Sequence, residues 1–280
     1  MKFGLFSINQ NECMTADGLA RVARRAEEAG FESLWAGEHV VLPDPRVAPS
    51  PMNPGDSMGE PLIALTFAAA HTTRLLLGTG IIIMPQRNPL VLAKQIATLD
   101  ALSGGRFVLG IGVGYLEPEF RALGIPFDKK GPRTDDYLAA MRAVWYQESP
   151  AHEGPFTSFS GINAYPKPKR IPIVVGGGTP GAFKRAVEQG HGWYGFAMDP
   201  ETALKCMDGL RTAAEKYARP AELGPLEISI TPRGAMDKET VTKFAEAGVD
   251  RLILLPGRAR TADEYCALID DVGSTLVGKA

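Results

Sequence analysis

"GIIIMPQRNPLVLAKQIATLDALSGGRFVLGIGVG" (residues 80–114) opens on an apolar run of β-formers, passes through a helix over 89–103, and closes on a strand over 106–112 that ends in alternating glycines. Strands made of continuous apolar runs and joined by helices belong to a parallel sheet that is covered on its outer face. Glycines spaced in this way bring the backbone close to a neighbour, either a packed helix or a ligand.

The alternation continues toward both ends of the chain. "FGLFSI" (3–8) reads as a buried strand, and the spacing of Leu19, Val22, Ala23 and Ala26 predicts a helix over 15–29 that stops at Gly30. "SLWAG" (33–37) is the next strand, and after a long Pro-rich loop "EPLIALTFAAAHTT" (60–73) is a helix with Pro61 in its first turn. The strand over 75–83 then leads into the opening segment. Beyond it, helices fall within 116–149, followed by "IPIVVGG" (171–177) with a helix over 179–189 and "GWYGF" (192–196) with a helix over 199–217. "LEISIT" (226–231) with 238–247 and "RLILLP" (251–256) with 262–272 complete the series. Eight such units predict an α/β fold of the (β/α)8 or TIM-barrel type, whereas a doubly wound sheet of this length would show a break between two halves. No Gly/Ser linker divides the chain, so the expectation is one domain over 1–280 with excursions at about 42–60 and 149–170.

Composition narrows the function classes. The 280 residues are 45% hydrophobic and 22% charged, enough to bury a sizeable core. The formal charge of −2 and the dispersed Lys and Arg residues offer no basic face to a nucleic acid. No apolar stretch approaches the roughly 20 residues of a membrane span. The start "MKFGLFSINQNE" has too short an apolar run for a signal peptide, which points to the cytoplasm. Cys13, Cys206 and Cys266 fit neither a disulfide framework nor a metal knuckle and are expected to be reduced structural thiols.

In a barrel of this kind chemistry sits where strands end and loops begin. Those ends hold Ser7, Ile8 and Asn9; Gly37, Glu38 and His39; Thr79, Gly80 and Ile81; Gly110, Gly112 and Gly114; and Gly176, Gly177, Gly178 and Thr179. "GIGVG" follows the fourth strand, where a Rossmann fingerprint would follow the first, so it reads either as close packing or as an approach to a flat cofactor. "GGGTPGAF" (176–183) runs straight into a helix whose free N–H groups and positive dipole end suit a phosphate. His39 is the histidine at a strand end, and Glu38 joins it in a catalytic pair only if the backbone turns there. No histidine pair has metal-ligand spacing, and there is neither a Gly-x-Ser-x-Gly elbow nor a cysteine beside a histidine.

Four segments together, "SLWAGEHVVLP", "LLLGTGIIIMPQRNPLVLAKQIATLDALSGGRFVLGIGVGYLEPEFRALGIPF", "GPRTDDYLAAMRAVW" and "IPIVVGGGTPGAFKRAVEQGHGWYGF", resemble the bacterial luciferase-like oxidoreductases, in their short branch linked to coenzyme F420. The resemblance implies a TIM barrel, a homodimer, and hydride transfer between coenzyme F420 and a small organic substrate. It implies that His39 exchanges a proton with the substrate. Glu38 stands where many relatives have an aspartate. A non-proline cis peptide is implied between Gly80 and Ile81, beneath the ring, with Ser7, Thr79 and the glycines 110, 112 and 114 alongside and "GGGT" on the phosphate. The loop 42–60, with Met52 and Met58, would cover the substrate.

Several alternatives stand beside this reading. FMN has the same ring, ribityl chain and phosphate, and with oxygen it would make the protein a monooxygenase. A flavin-free barrel isomerase or aldolase would need a lysine or carboxylate at a strand end, and only Glu38 is offered. A non-catalytic flavin carrier would lack acid–base groups on the substrate side. F420 extends through several glutamates past its phosphate, and Lys129, Lys130, Arg133, Lys184 and Arg185 are the candidates to meet them.

Overall fold

The apolar runs form the strands and the segments between them the helices, in a computed structural model that describes residues 1–234 and 236–278. The order is β1 (Lys2–Leu5), α1 (Ala16–Glu28), β2 (Ser33–Ala36), α2 (Pro61–Ala69), β3 (Leu76–Thr79), β4 (Ile82–Ile83), α3 (Pro89–Ser103), β5 (Phe107–Gly112), α4 (Glu117–Ala122) and α5 (Lys130–Tyr146). It continues with β6 (His152–Glu153), β7 (Ser158–Phe159), β8 (Ile173–Gly176), α6 (Pro180–Gln189), β9 (Gly192–Met198), α7 (Pro200–Lys216), β10 (Glu227–Pro232), α8 (Lys238–Glu246), β11 (Arg251–Leu254) and α9 (Ala262–Thr275).

The barrel strands are all parallel and run β3-β2-β1-β11-β10-β9-β8-β5-β4, with β3 pairing to β5 to close the circle. This is a (β/α)8 barrel, as expected from the alternation. The third barrel strand is interrupted: the Gly80–Ile81 peptide is cis, and β3 and β4 on either side of it both pair with β5. The fourth connection carries both α4 and α5. After α5 the chain makes a small antiparallel hairpin, β6 with β7, which sequence patterning did not foresee because each strand is two residues long.

Helix starts are set by local chemistry. Glu60, Asn88, Thr179 and Asp199 each accept a backbone N–H of the helix they precede, and proline opens all four of those helices. Thr261 and Glu264 form a capping box at α9.

Inside the barrel, Trp35 packs with Phe6, Val108, Val174, Tyr194 and Ile253. A Cβ on Gly78 would lie 2.4 Å from the Trp35 ring, so the indole occupies the space a side chain would need. The amino-terminal end of the barrel is closed by Arg251, which is 3% exposed. Its guanidinium binds Glu32 at 2.6 and 2.8 Å, Ser229 at 3.0 Å, and Glu227. The carboxyl-terminal ends of the strands are left to form a cavity.

Candidate active site

A cavity of about 670 Å³ lies over the carboxyl-terminal strand ends. Phe6 and Tyr194 reach it from the barrel interior, next to Gly80 and Ile81. One wall is almost bare backbone: Gly112 and Gly114 after β5, Gly176 and Gly177 after β8, then Thr179 and Gly181 at the start of α6. The rest of the lining includes the side chains of His39, Glu38, Tyr115, Phe196 and Leu255, with Gln10, Met52 and Met58. Ser7 lines the cavity with its backbone in the left-handed region, at φ 61°.

Thr79, Gly110 and Gly178 do not line this cavity. Thr79 is fully buried, and its hydroxyl donates to the Gly110 carbonyl at 2.8 Å and accepts the Gly110 N–H at 2.9 Å. A Cβ on Gly110 would lie 1.8 Å from the Thr79 carbonyl oxygen, so this glycine allows the approach of β3 to β5. Gly178 is exposed, and the nearest atom to a Cβ there is Cys206 Sγ on α7, at 3.7 Å. Gly112 and Gly114 serve two purposes, since a Cβ on either would also strike Ile81 or Ile83 and Phe120.

His39 and Glu38 are adjacent in sequence and face different partners. The His39 Nδ1 is 3.3 Å from Oε2 of Glu119, and Nε2 is 3.4 Å from the hydroxyl of Tyr115. Glu119 accepts the Val40 N–H on its other oxygen at 2.6 Å. Glu38 instead accepts the Ile83 N–H at 2.5 Å and Arg87 Nε at 2.8 Å, and Arg87 reaches on to Glu60 at 2.7 Å. Burial pushes the Glu38 carboxyl up, against the opposing charge and hydrogen bonds of Arg87. Burial alone would lower the Arg87 guanidinium, but Glu38 and Glu60 raise it.

Glu119 and Tyr115 were not among the candidates read from the sequence. A signal existed for Glu119: it shares with Leu116 and Phe120 the buried face of the segment entering α4. An acid at that spacing must find a partner inside the protein.

Four of the five cations proposed for a polyglutamate tail already have protein partners. Lys130 donates to the Gly114 carbonyl at 3.1 Å and lies 3.4 Å from the Phe127 ring centroid, and burial lowers its pKa. Arg133 donates to the Pro126 carbonyl, Lys184 pairs with Glu188, and Arg185 grips Asp135 at 2.7 and 3.0 Å. Of the five, Arg185 lines the cavity, while Lys129 is exposed at the start of α5.

The segment 42–60 straps the open side. Asn9 donates to the Gly37 carbonyl at 2.8 Å and to the Gly59 carbonyl at 2.6 Å, and Gln10 bridges to Met58. Pro51, Met52 and Met58 of the strap face the cavity. Among the described residues, no helix is long and apolar enough to cross a membrane.

A closed (β/α)8 barrel with a glycine-walled cavity at its carboxyl-terminal face has the architecture of a barrel enzyme. The chain belongs to the luciferase-like monooxygenase family, whose model matches residues 1–240. An uncharacterised protein of Mycobacterium tuberculosis is 30% identical, covering 99% of each chain. The F420-dependent glucose-6-phosphate dehydrogenase of Kineococcus radiotolerans is 33% identical over 70% of this chain and 58% of its own. An F420-dependent secondary alcohol dehydrogenase, solved with an F420-acetone adduct, superposes with a TM-score of 0.81 at 17% identity over 100% of this chain and 99% of its own.

Proposed function

We propose that the chain is a single-domain, cytoplasmic homodimer that transfers a hydride between coenzyme F420 and a small organic substrate. The observation that carries this reading is a cavity lined in part by the glycines that follow β5 and β8 and open α6, and elsewhere by side chains that include His39, Tyr115, Phe196 and Leu255. The glycine lining fits a long cofactor with a terminal phosphate: it runs past Gly80 and Ile81 to the start of α6, whose positive dipole end suits an anion beside the Thr179 cap. Gly177 sits at φ +118°, and a Cβ on Gly181 would meet nothing within 4 Å. Bound there, F420 supplies a ring carbon that accepts or donates a hydride. Gly177, Thr179 and Gly181 would hold its phosphate, with Ser7, Gly80, Ile81, Gly112, Gly114 and Gly176 along the remainder.

Among the lining side chains, His39 exchanges a proton with the substrate. Met52, Met58, Phe196 and Leu255 add apolar surface to the same cavity, which supports an uncharged and mostly apolar substrate. Glu38 is tied to Arg87, so the strand-end carboxylate that an isomerase or aldolase would need is engaged with another group. The likeness to the Kineococcus dehydrogenase supports F420 over FMN.

Equilibrium titrations with F420 and FMN at equal ionic strength, followed by anaerobic turnover assays, test the reading. Tighter binding of F420 with oxygen-independent turnover is expected. Tighter FMN binding with oxygen-dependent turnover would make the protein a monooxygenase, and cofactor binding without turnover a carrier. For the homodimer, α2 is built almost wholly from apolar residues, with Ile63 70% exposed and Val91 57% exposed on the neighbouring α3. Covering that face with a second copy predicts a dimer mass in light scattering; a monomer would remove this part.

A further inference from the structure

We infer that Glu119 is the positioning residue of His39, fixing its imidazole as the Nδ1–H tautomer so that Nε2 is the proton-accepting atom. The Glu119 side chain is fully buried, and each oxygen has one near partner: the Val40 N–H on Oε1 and His39 Nδ1 on Oε2. An ionised carboxylate only accepts hydrogen bonds. A bare Nδ1 would set two lone pairs against each other inside the protein, so Nδ1 carries the proton and Nε2 the lone pair. On that other side lies the Tyr115 hydroxyl at 3.4 Å, a group able to donate to such a lone pair. Both contacts are slightly long for tight hydrogen bonds.

The groups that meet His39 come from different elements. Glu119 is on α4, Tyr115 is in the loop after β5, and Glu38 on the same strand end is turned away to Arg87. Tyr115 is 49% exposed, so a substrate hydroxyl can take its place at Nε2. When that hydroxyl gives its proton to Nε2, the imidazolium faces the Glu119 carboxylate, the orienting arrangement of a histidine–acid pair. Return of the proton from Nε2 to a substrate oxygen serves the reverse direction.

This inference rests on the reading of His39 as the proton-exchanging group, but its test does not. Protein labelled with 15N-histidine, without cofactor and at a pH where the imidazole is neutral, is studied by multiple-bond 1H–15N correlation, with His39→Asn to assign the signals. His39 is expected to be protonated on Nδ1; protonation on Nε2 overturns the inference whether or not any variant folds. Glu119→Gln should invert the tautomer, because the Val40 N–H claims the amide oxygen and leaves the NH2 group facing Nδ1. The same variant should lower kcat by about 10²-fold with cofactor affinity unchanged, and Glu119→Asp should recover part of the loss. A Glu119→Gln protein that keeps the Nδ1–H form also overturns it. Unchanged turnover in His39→Ala would remove the functional reading and leave the tautomer result standing.

Discussion

Glu38 and Arg87 form a buried pair that ties the end of β2 to the turn beyond β4, with Arg87 Nε 2.8 Å from Glu38 Oε1. The Ile83 N–H completes the attachment on the other carboxylate oxygen. Glu38 therefore braces the interrupted third strand next to the cavity, while its neighbour His39 turns to Glu119.

Replacing Glu38 removes one of the two carboxylates that face the partly buried Arg87 and leaves Glu60 as its remaining one. Glu38→Gln should lower the unfolding free energy in urea by about 3 kcal/mol. Intact stability combined with lost turnover would instead place Glu38 in the chemistry.

His39 carries the proton-transfer assignment. His39→Ala should lower turnover by about 10²–10⁴-fold with little change in cofactor affinity. An unchanged rate makes the histidine structural.

The glycines separate into those packed against main chain and those facing open space, and two substitutions distinguish them. Gly110→Ala would place a methyl 1.8 Å from the Thr79 carbonyl oxygen, where only main chain can yield. A loss of about 3 kcal/mol or more is expected in denaturant unfolding. Gly181→Leu meets open space at the start of α6 and improves helix propensity, so its thermal midpoint should hold while cofactor affinity falls at least about tenfold. A Gly181→Leu protein that binds cofactor normally would move the phosphate elsewhere.

His191 gives the molecule a specific pH response. Its Nδ1 accepts the Ile173 N–H at 3.0 Å, which requires a lone pair there, and the Arg170 guanidinium lies 3.2 Å from Nε2, so a second proton on the ring is disfavoured in the fold. Burial, with Arg170, Arg142 and Arg219, lowers its pKa to about 4. The unfolded chain binds the proton already below about 6.5, so this stabilisation is complete above that pH and is lost as pH falls toward 4. Because the ring is half-exposed, screening limits the effect to about 1–2 kcal/mol. His191→Asn keeps an acceptor for Ile173 without titrating, and should flatten the dependence of the thermal midpoint between about pH 7 and about pH 4.5. An equally steep dependence in the variant would assign the titration to other groups.

The barrel was legible because its signals are local. Apolar runs, helical spacing, capping residues and N-terminal prolines each act within one turn or one strand, and the segment 80–114 alone contains most of them. The break in the third strand was not legible from pattern, since "GTGIIIM" reads as one apolar run; it entered through resemblance to a family. Thr79 and Gly110 sit at strand ends and so resemble site residues, but their mutual hydrogen bonds depend on which strands become neighbours. The same reason hid Glu119, whose partner His39 lies 80 residues away. Pairings of Lys184 and Arg185 are closer to local rules, yet only the packing of α6 on α5 directs Arg185 to Asp135.

The strap over the cavity is held by Asn9 at Gly59, by Gln10 at Met58 and Met52, and by Arg87 at Glu60. Between its anchors it presents Pro51 and Met52 to the cavity while contributing no strand to the barrel. Substitutions at Pro51 and Met52 should therefore reshape the cavity's cover while leaving the barrel's strand pairing and stability unchanged.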